Sequence, residues 1–263
     1  MNAPQLTAED HLVWKVLFDR QTALLHRRAA APFAAGLARL GLSRDAAPDL
    51  EVLGQRLRRL SGWDVVPAPG RVDDRTFLAL LAERRFPVTR WIRSMRYFDY
   101  INGPDLFHDA FAHLPMLTDP EWAAWLEHFG QIARHHLDDE HAVEQLVRLF
   151  CFTAEFGVLQ EADGLRVYGA ALLSSAAELH RCLADDAPRR PLDVAAAMAA
   201  PLVRDGFQDH YFVLPDWTQL SDVTAELVVR LTAHTPATPP DPEPLPEPLL
   251  VPVPRPRRQQ PRG

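Results

Sequence analysis

The sequence predicts a mainly α-helical fold with small β elements, organised as one catalytic-sized domain and a tail. Apolar residues recur at helical spacing in run after run. Strand-like pieces are short and bounded by Gly, Pro or Asp. There is no long alternation of strand and helix and no internal repeat, which argues against a Rossmann fold, a TIM barrel or a solenoid. A chain of 263 residues that is 47% hydrophobic and 24% charged is too apolar for a wholly disordered protein and too irregular for a coiled coil or collagen.

The elements follow in order. Thr7 and Asp10 resemble a capping box, and Val13, Trp14, Leu17, Phe18, Leu24 and Leu25 then define the apolar face of a first helix. Further amphipathic runs predict helices over Leu50 to Leu60, Asp74 to Arg85, Pro120 to His135, Ala142 to Leu159, Ser174 to Leu183, Leu192 to Ala199 and Ser221 to Ala233. Strands are expected at Trp63 to Val66, Leu165 to Tyr168 and Tyr211 to Leu214.

Proline outnumbers glycine, 24 to 12, because of one segment: 11 prolines fall between Pro236 and Pro261. Residues 1–233 therefore read as the domain. Residues 234–263 read as a Pro-rich disordered tail, with a polyproline II rhythm through Pro242, Pro244, Pro246 and Pro248.

Net charge is −7, and the tail is slightly basic, so the domain is more acidic than the whole. An acidic domain lacks the basic face that nucleic acid needs. The longest apolar stretches, such as Ala195 to Leu202, fall far short of the roughly 20 residues that span a bilayer. No basic start and apolar core of a signal peptide follow Met1, and Cys151 and Cys182 form no metal-type pair. These features predict a cytoplasmic protein with no nucleic-acid or membrane partner.

His108 and His113 lie five apart in an apolar frame, Phe107-His108-Asp109-Ala110-Phe111-Ala112-His113-Leu114-Pro115. On a straight α-helix, five steps of about 100° leave the two side chains about 140° apart. They can share a metal only if the second sits where the helix gives way, and Pro115 makes such an end plausible. Glu155, an acid in the otherwise apolar run Phe152-Thr153-Ala154-Glu155-Phe156, needs a partner and would complete a two-His-one-carboxylate set. Such a set leaves open positions for oxygen chemistry on non-haem Fe(II). His136 and His141 are also five apart, but the acids between them and the lack of an apolar frame mark a solvated loop. Spacing alone leaves open whether His108 and His113 are ligands or core histidines.

A resemblance adds to this reading. Gly103-Pro104-Asp105-Leu106-Phe107-His108-Asp109, His113-Leu114-Pro115, Phe152 to Gly157 and Tyr168-Gly169-Ala170-Ala171-Leu172-Leu173-Ser174-Ser175 together resemble the catalytic domain of the pterin-dependent aromatic amino acid hydroxylases. Arg85 to Thr89 and Phe207 to Val213 resemble the bacterial phenylalanine hydroxylases, and the likeness runs from about Leu6 to Ser221.

The resemblance implies that His108, His113 and Glu155 hold Fe(2+). It also implies that a tetrahydropterin is the cofactor, tetrahydrobiopterin or a relative, and that O2 is reduced to hydroxylate the ring of an aromatic amino acid. Arg93 matches the arginine that pairs with the substrate carboxylate. Asp105 and Ser174 match residues that orient it and the amino acid, although Asp105 also reads as a helix N-cap. Glu178 matches a glutamate near the substrate end, Phe77 the ring that stacks on the pterin, and Gly70 and Asp109 neighbours of the pterin's polar edge.

Departures from the family pattern concern the substrate. Ala112 and Ala171 replace glycines, each adding a methyl expected close to the site. Phe150 replaces a tyrosine, Ile101 stands where animal members often carry threonine, and Cys151 replaces a large aromatic. An i, i+4 spacing puts Cys151 on the helix face of Glu155, so it should line the ring pocket. The expected substrate is L-phenylalanine, hydroxylated at C3 to meta-tyrosine or at C4 to tyrosine. Tryptophan hydroxylation, or an aromatic amino acid or pterin-binding homologue without turnover, are the alternatives. With no regulatory segment ahead of the first helix and no heptads in the tail, a monomer is expected.

Overall fold

The computed structural model describes residues 6–99, 103–203 and 206–233. Ile101 and the tail, with its expected disorder and polyproline rhythm, lie outside the described residues. The fold is mainly α with small β elements, as the sequence predicts.

Helix α1 (Ala8–Leu25) starts at the expected capping box, where Thr7 Oγ1 accepts from the Asp10 amide and the Asp10 carboxylate accepts from the Thr7 amide at 2.7 Å. Its buried residues Val13, Trp14, Leu17, Gln21 and Leu25 follow the helical repeat. Helix α2 (Ala31–Leu40), which no apolar period announces, has Pro32 in its first turn and ends at Gly41 with φ of 64°. It is short and largely apolar, so it offers no clear polar face to set a period. Asp49 caps α3 (Leu50–Ser61), which Gly62 ends with φ of 77°.

Strand β1 (Asp64–Ala68), helix α4 (Asp74–Ala82) and strand β2 (Arg85–Thr89) form one βαβ unit whose strands pair in parallel from Asp64 opposite Arg85 to Ala68 opposite Thr89. The expected helix to Arg85 stops early because Arg84 turns to a φ of 53° and sends Phe86 and Val88 into the core. A short helix α5 (Leu114–Met116) leads to α6 (Pro120–Arg134), capped by Asp119, and then to α7 (Glu140–Phe150), capped by Asp139.

The predicted helix from Ala142 to Leu159 is three elements: α7, a π-helical turn over Cys151–Glu155, and strand β3 (Val158–Glu161) after Gly157. Strand β4 (Gly164–Val167) folds back on β3. The helix predicted from Ser174 to Leu183 is α9 (Ala176–Leu183), which starts two residues late because Ser175 is extended and its side chain caps it; a separate short helix α8 (Ala170–Ser174) precedes it. Strand β5 (Arg189–Pro191), α10 (Val194–Ala199), β6 (Tyr211–Leu214) and α11 (Leu220–Ala233) complete the fold. The four-stranded sheet runs β4-β3-β6-β5, antiparallel only at the β3–β4 hairpin.

A continuous core reaches from Trp14 and Phe33 through Phe107 and Phe111 to Phe152 and Phe212. It packs against both π segments and fixes what they carry.

Candidate active site

His108 and His113 lie on a π-helical segment, Phe107–His113, in which the Leu114 amide reaches the Asp109 carbonyl five residues back. A π-helix is wound more loosely than an α-helix, so residues five apart face the same way. This resolves the spacing difficulty without a helix end at His113. Glu155 sits on the second π turn, closed by the Phe156 amide on the Cys151 carbonyl at 2.8 Å. Two wide turns therefore present three ligand-type side chains to one point.

His113 Nε2 lies 3.1 Å from Glu155 Oε1 and 3.2 Å from His108 Nε2, and His108 Nε2 lies 3.4 Å from Glu155 Oε2. Donors at right angles around an ion, each roughly 2.1 Å from it, are about 3 Å apart. Both imidazole Nε2 atoms and the two Glu155 oxygens therefore converge on one point, the donor set that would hold a divalent cation by two histidines and a carboxylate. Without a cation, burial alone would raise the Glu155 carboxyl, but His113 and His108 outweigh it and hold the group well below the usual carboxylate range. Burial would lower His108, and Glu155 raises it instead.

The tautomer of His108 follows from its other nitrogen. Ser174 Oγ donates to the Ala170 carbonyl at 2.8 Å, so its lone pairs face His108 Nδ1 at 2.9 Å. His108 must then carry its proton on Nδ1, which leaves the Nε2 lone pair for a metal. The sequence reading expected Ser174 to orient the arginine and the amino acid; the structure puts its hydroxyl on the imidazole.

Glu155 is fixed from behind. A β-carbon at Gly169 would lie 2.4 Å from the Glu155 carbonyl, and one at Gly157 would lie 2.1 Å from the Thr153 carbonyl. Only glycine lets the chain entering α8 pass this close to the π turn.

The triad opens into a cavity of about 610 Å³ that also exposes Arg93, Cys151, Ser174, Glu178, Gly70, Phe77 and Asp109. Asp105, the remaining predicted site residue, is fully buried and lies behind the wall. Its carboxylate accepts from Arg93 Nε at 2.8 Å, Arg93 Nη2 at 3.0 Å, the Arg93 amide at 2.9 Å and the His108 amide at 2.9 Å. Burial would raise the Asp105 carboxyl, and Arg93 holds it low. One residue thus aims the guanidinium and caps the segment that carries His108.

Asp109 is buried, accepts from the Thr89 amide at 2.7 Å, and is held above the usual aspartate range chiefly by burial. Phe77 meets Phe150 edge-on at 4.8 Å and Phe86 at 5.9 Å, and Phe86 in turn packs on His113 at 4.7 Å. Glu178 Oε1 accepts from Tyr211 Oη at 2.8 Å and from the Gln208 amide at 3.1 Å.

The substituted positions separate. Phe150, Cys151 and Ala171 line the cavity. Ala112 is fully buried and outside the lining, because on the π segment it faces the core, so its methyl does not narrow the cavity as expected. His136 and His141 fall at the turn into α7, where Asp139 accepts from the His141 amide; among the described residues only His108, His113 and Glu155 form a metal-type cluster. Thr89, Phe86, Tyr211 and Gln208 also support the site, through contacts that residue type alone does not announce. They lie in the segments Arg85 to Thr89 and Phe207 to Val213, whose likeness to the family was the available signal.

Comparison with known proteins gives the same result. The model of the biopterin-dependent aromatic amino acid hydroxylase family matches residues 2–233. Phenylalanine-4-hydroxylase of Chromobacterium violaceum is 41% identical over 222 residues, covering 83% of this chain and 74% of the relative. That of Pseudomonas aeruginosa is 34% identical over 238 residues, covering 88% and 90%. The crystal structure of the C. violaceum enzyme with iron(III) and oxidised cofactor 7,8-dihydrobiopterin superposes with a TM-score of 0.81 at 38% identity, covering 90% of this chain and 88% of that one. The chain belongs to the biopterin-dependent aromatic amino acid hydroxylases.

Proposed function

We propose that this chain hydroxylates the ring of L-phenylalanine, with His108, His113 and Glu155 holding Fe(2+) and a tetrahydropterin bound beside Phe77. The observation that carries the reading is the convergence of three ligand atoms within 4.8 Å of one another at a cavity that also exposes Arg93. The bacterial relatives are named phenylalanine-4-hydroxylases, which supports phenylalanine as substrate. When bound, iron and the reduced pterin supply the electrons that split O2 and place one oxygen on the ring.

The protein's own residues hold and orient. Arg93, locked by Asp105, offers its remaining N–H groups to the substrate carboxylate. Glu178 lies in the same cavity as the acceptor for the α-ammonium group. Ser174 fixes the His108 ring, Phe77 offers a face for the pterin, and Gly70 and Asp109 lie by the pterin's polar edge. The apolar walls around Phe150 and Phe156 exclude water from the reacting ring.

Ring position is assigned to Cys151. Where a large aromatic would close the wall, a small half-buried side chain leaves room for the phenylalanine ring to slide. This favours C3 and meta-tyrosine over C4 and tyrosine. With Ala112 out of the lining, Ala171 is the added methyl that argues against a pocket opened for indole.

The catalytic domain is residues 1–233, acting as a cytoplasmic monomer, with the tail outside it. No described helix is long and apolar enough to cross a membrane. Incubation with Fe(II), a tetrahydropterin and either phenylalanine or tryptophan, followed by identification of the product isomer, tests the reading. Meta-tyrosine is expected. Para-tyrosine alone overturns the C3 assignment, a hydroxylated tryptophan overturns the substrate, and no pterin-dependent oxygen uptake with any aromatic amino acid leaves a binding homologue.

A further inference from the structure

We propose that Arg20 is a positioning residue for the amino acid substrate: it pins Phe98 to α1 and takes up the charge of Asp99, which leaves Arg93 free for the substrate carboxylate. This rests on the assignment of Arg93 to that carboxylate, and it adds a residue outside the cavity that acts through the wall.

The chain just after Arg93 is weakly held. Ser94 to Tyr97 are exposed, and Met95 and Tyr97 turn large apolar side chains to solvent. Phe98 is the side chain of that stretch that packs against the core. Asp99 is 80% exposed and still reaches the cavity wall alongside Arg93, Gly103 and Pro104. An unpaired acid there would repel a substrate carboxylate and compete with it for Arg93.

Arg20, on α1, meets both residues. Its guanidinium carbon lies 4.3 Å from the centre of the Phe98 ring, and its Nη1 donates to Asp99 Oδ1. The Phe98 carbonyl in turn accepts from Arg93 Nη1 at 3.5 Å, a long contact. A chain of contacts therefore runs from α1 through Phe98 to the guanidinium that binds substrate. The next residue on α1, Gln21, is fully buried and donates to the Leu173 carbonyl at 2.8 Å, directly before Ser174. One turn of α1 thus backs both Phe98 and the end of α8.

Stability does not explain the arginine. Its partner Asp99 stands in solvent, where an ion pair contributes little. Its own Nε is buried and, among the described residues, has no hydrogen-bond partner, which is unfavourable. Leucine would avoid that unpaired donor. What a planar cation alone supplies is stacking on Phe98 together with neutralisation of Asp99.

The test uses the full chain, loaded anaerobically with Fe(II), and measures phenylalanine binding by titration calorimetry, with steady-state kinetics alongside. Arg20→Leu should weaken phenylalanine binding and raise its Michaelis constant about five- to tenfold, with kcat and the pterin Michaelis constant within about twofold. Arg20→Lys, which keeps the charge without the stacking, should recover part of the loss. Arg20→Leu combined with Asp99→Asn should recover most of it, because the uncovered acid is gone. Wild-type affinity in Arg20→Leu overturns the proposal. So does an equal loss of kcat and of affinity for both phenylalanine and pterin, which marks a general loss of packing, and so does a double variant no better than Arg20→Leu. No phenylalanine binding by the wild-type chain overturns the substrate reading and this proposal with it, whereas failure of the Arg20 variants alone leaves that reading standing.

Discussion

Ser174 Oγ lies 2.9 Å from His108 Nδ1 and spends its own proton on the Ala170 carbonyl. The hydroxyl is therefore an acceptor, and the imidazole carries a proton on Nδ1, which turns Nε2 toward Glu155 and His113 as the atom that would bind a metal. Ser174→Ala removes the acceptor without touching a ligand atom. Loss of such a partner commonly lowers metal affinity roughly 10- to 100-fold. Titration of the apo-protein with Fe(II) or Co(II) under anaerobic conditions should show that drop with an unchanged far-ultraviolet dichroism spectrum. Ser174→Thr, which keeps the hydroxyl, should recover most of the affinity. Equal affinity in Ser174→Ala and wild type would mean that packing alone orients the ring.

Arg93 and Asp105 form the second such pair, and here the buried partner is the more vulnerable one. Arg93→Leu removes the two-pronged contact and leaves a fully buried carboxylate with only the amides of residue 93 and His108. Breaking a buried pair from one side costs about 3–5 kcal/mol, so denaturant unfolding should shift to clearly lower concentration. Asp105 is held below its unfolded value, so its contribution is present above that value and is lost as pH falls through the folded one. With the guanidinium gone, the acid unfolding midpoint should move to higher pH. The Michaelis constant for the amino acid should rise more than kcat falls.

The parts of this site that were legible in the sequence are those set by residue chemistry. An acid in an apolar helix had to have a partner, and Glu155 has two histidines. The capping box placed the start of α1, and amphipathic runs placed those of α3 and α6. What was hidden is backbone winding. Nothing in Phe107 to His113 announces a π-helix, because an extra residue per turn is set by how Phe107 and Phe111 stack at 4.5 Å in the core and by the metal-type side chains it aligns. The same holds for Cys151–Glu155, which the helical repeat carries straight through to Leu159. Asp105 was readable as a cap and, through the family, as a partner of Arg93, but its place behind the wall depends on burial that only the fold decides.

Glu178 offers a pH-dependent prediction. Burial holds its carboxyl above the usual glutamate range, against the lowering effects of the Gln208 amide, Tyr211 hydroxyl and Arg181. A folded value above the unfolded one favours the protonated form, so the benefit is full below the unfolded value and is lost as pH rises through the folded value. Glu178→Gln keeps an oxygen to accept from Tyr211 and Gln208 but carries no charge to desolvate. Its melting temperature should equal or exceed that of wild type at about pH 8, and the difference should close toward about pH 4. If Glu178 receives the α-ammonium group, the same variant should bind phenylalanine roughly tenfold more weakly. Stability gained with no loss of substrate affinity would make the residue a wall and nothing more.

Cys151 and Cys182 make a paired test of the ring pocket. Cys151 is half-buried in the cavity wall, one helical turn before Glu155, whereas Cys182 is fully buried in α9 and absent from the lining. Cys151→Trp adds volume toward open space rather than into a packed core, so its cost should stay below about 1.5 kcal/mol. The indole should close the space into which the substrate ring slides and move the site of attack from C3 toward C4. Separation of meta- and para-tyrosine by chromatography reads the shift directly. Cys182→Ala should lower stability by creating a small void and leave the isomer ratio where it was. An unchanged ratio in Cys151→Trp would show that the position of attack is set elsewhere in the wall, with Ala171 and Phe150 the next positions to exchange.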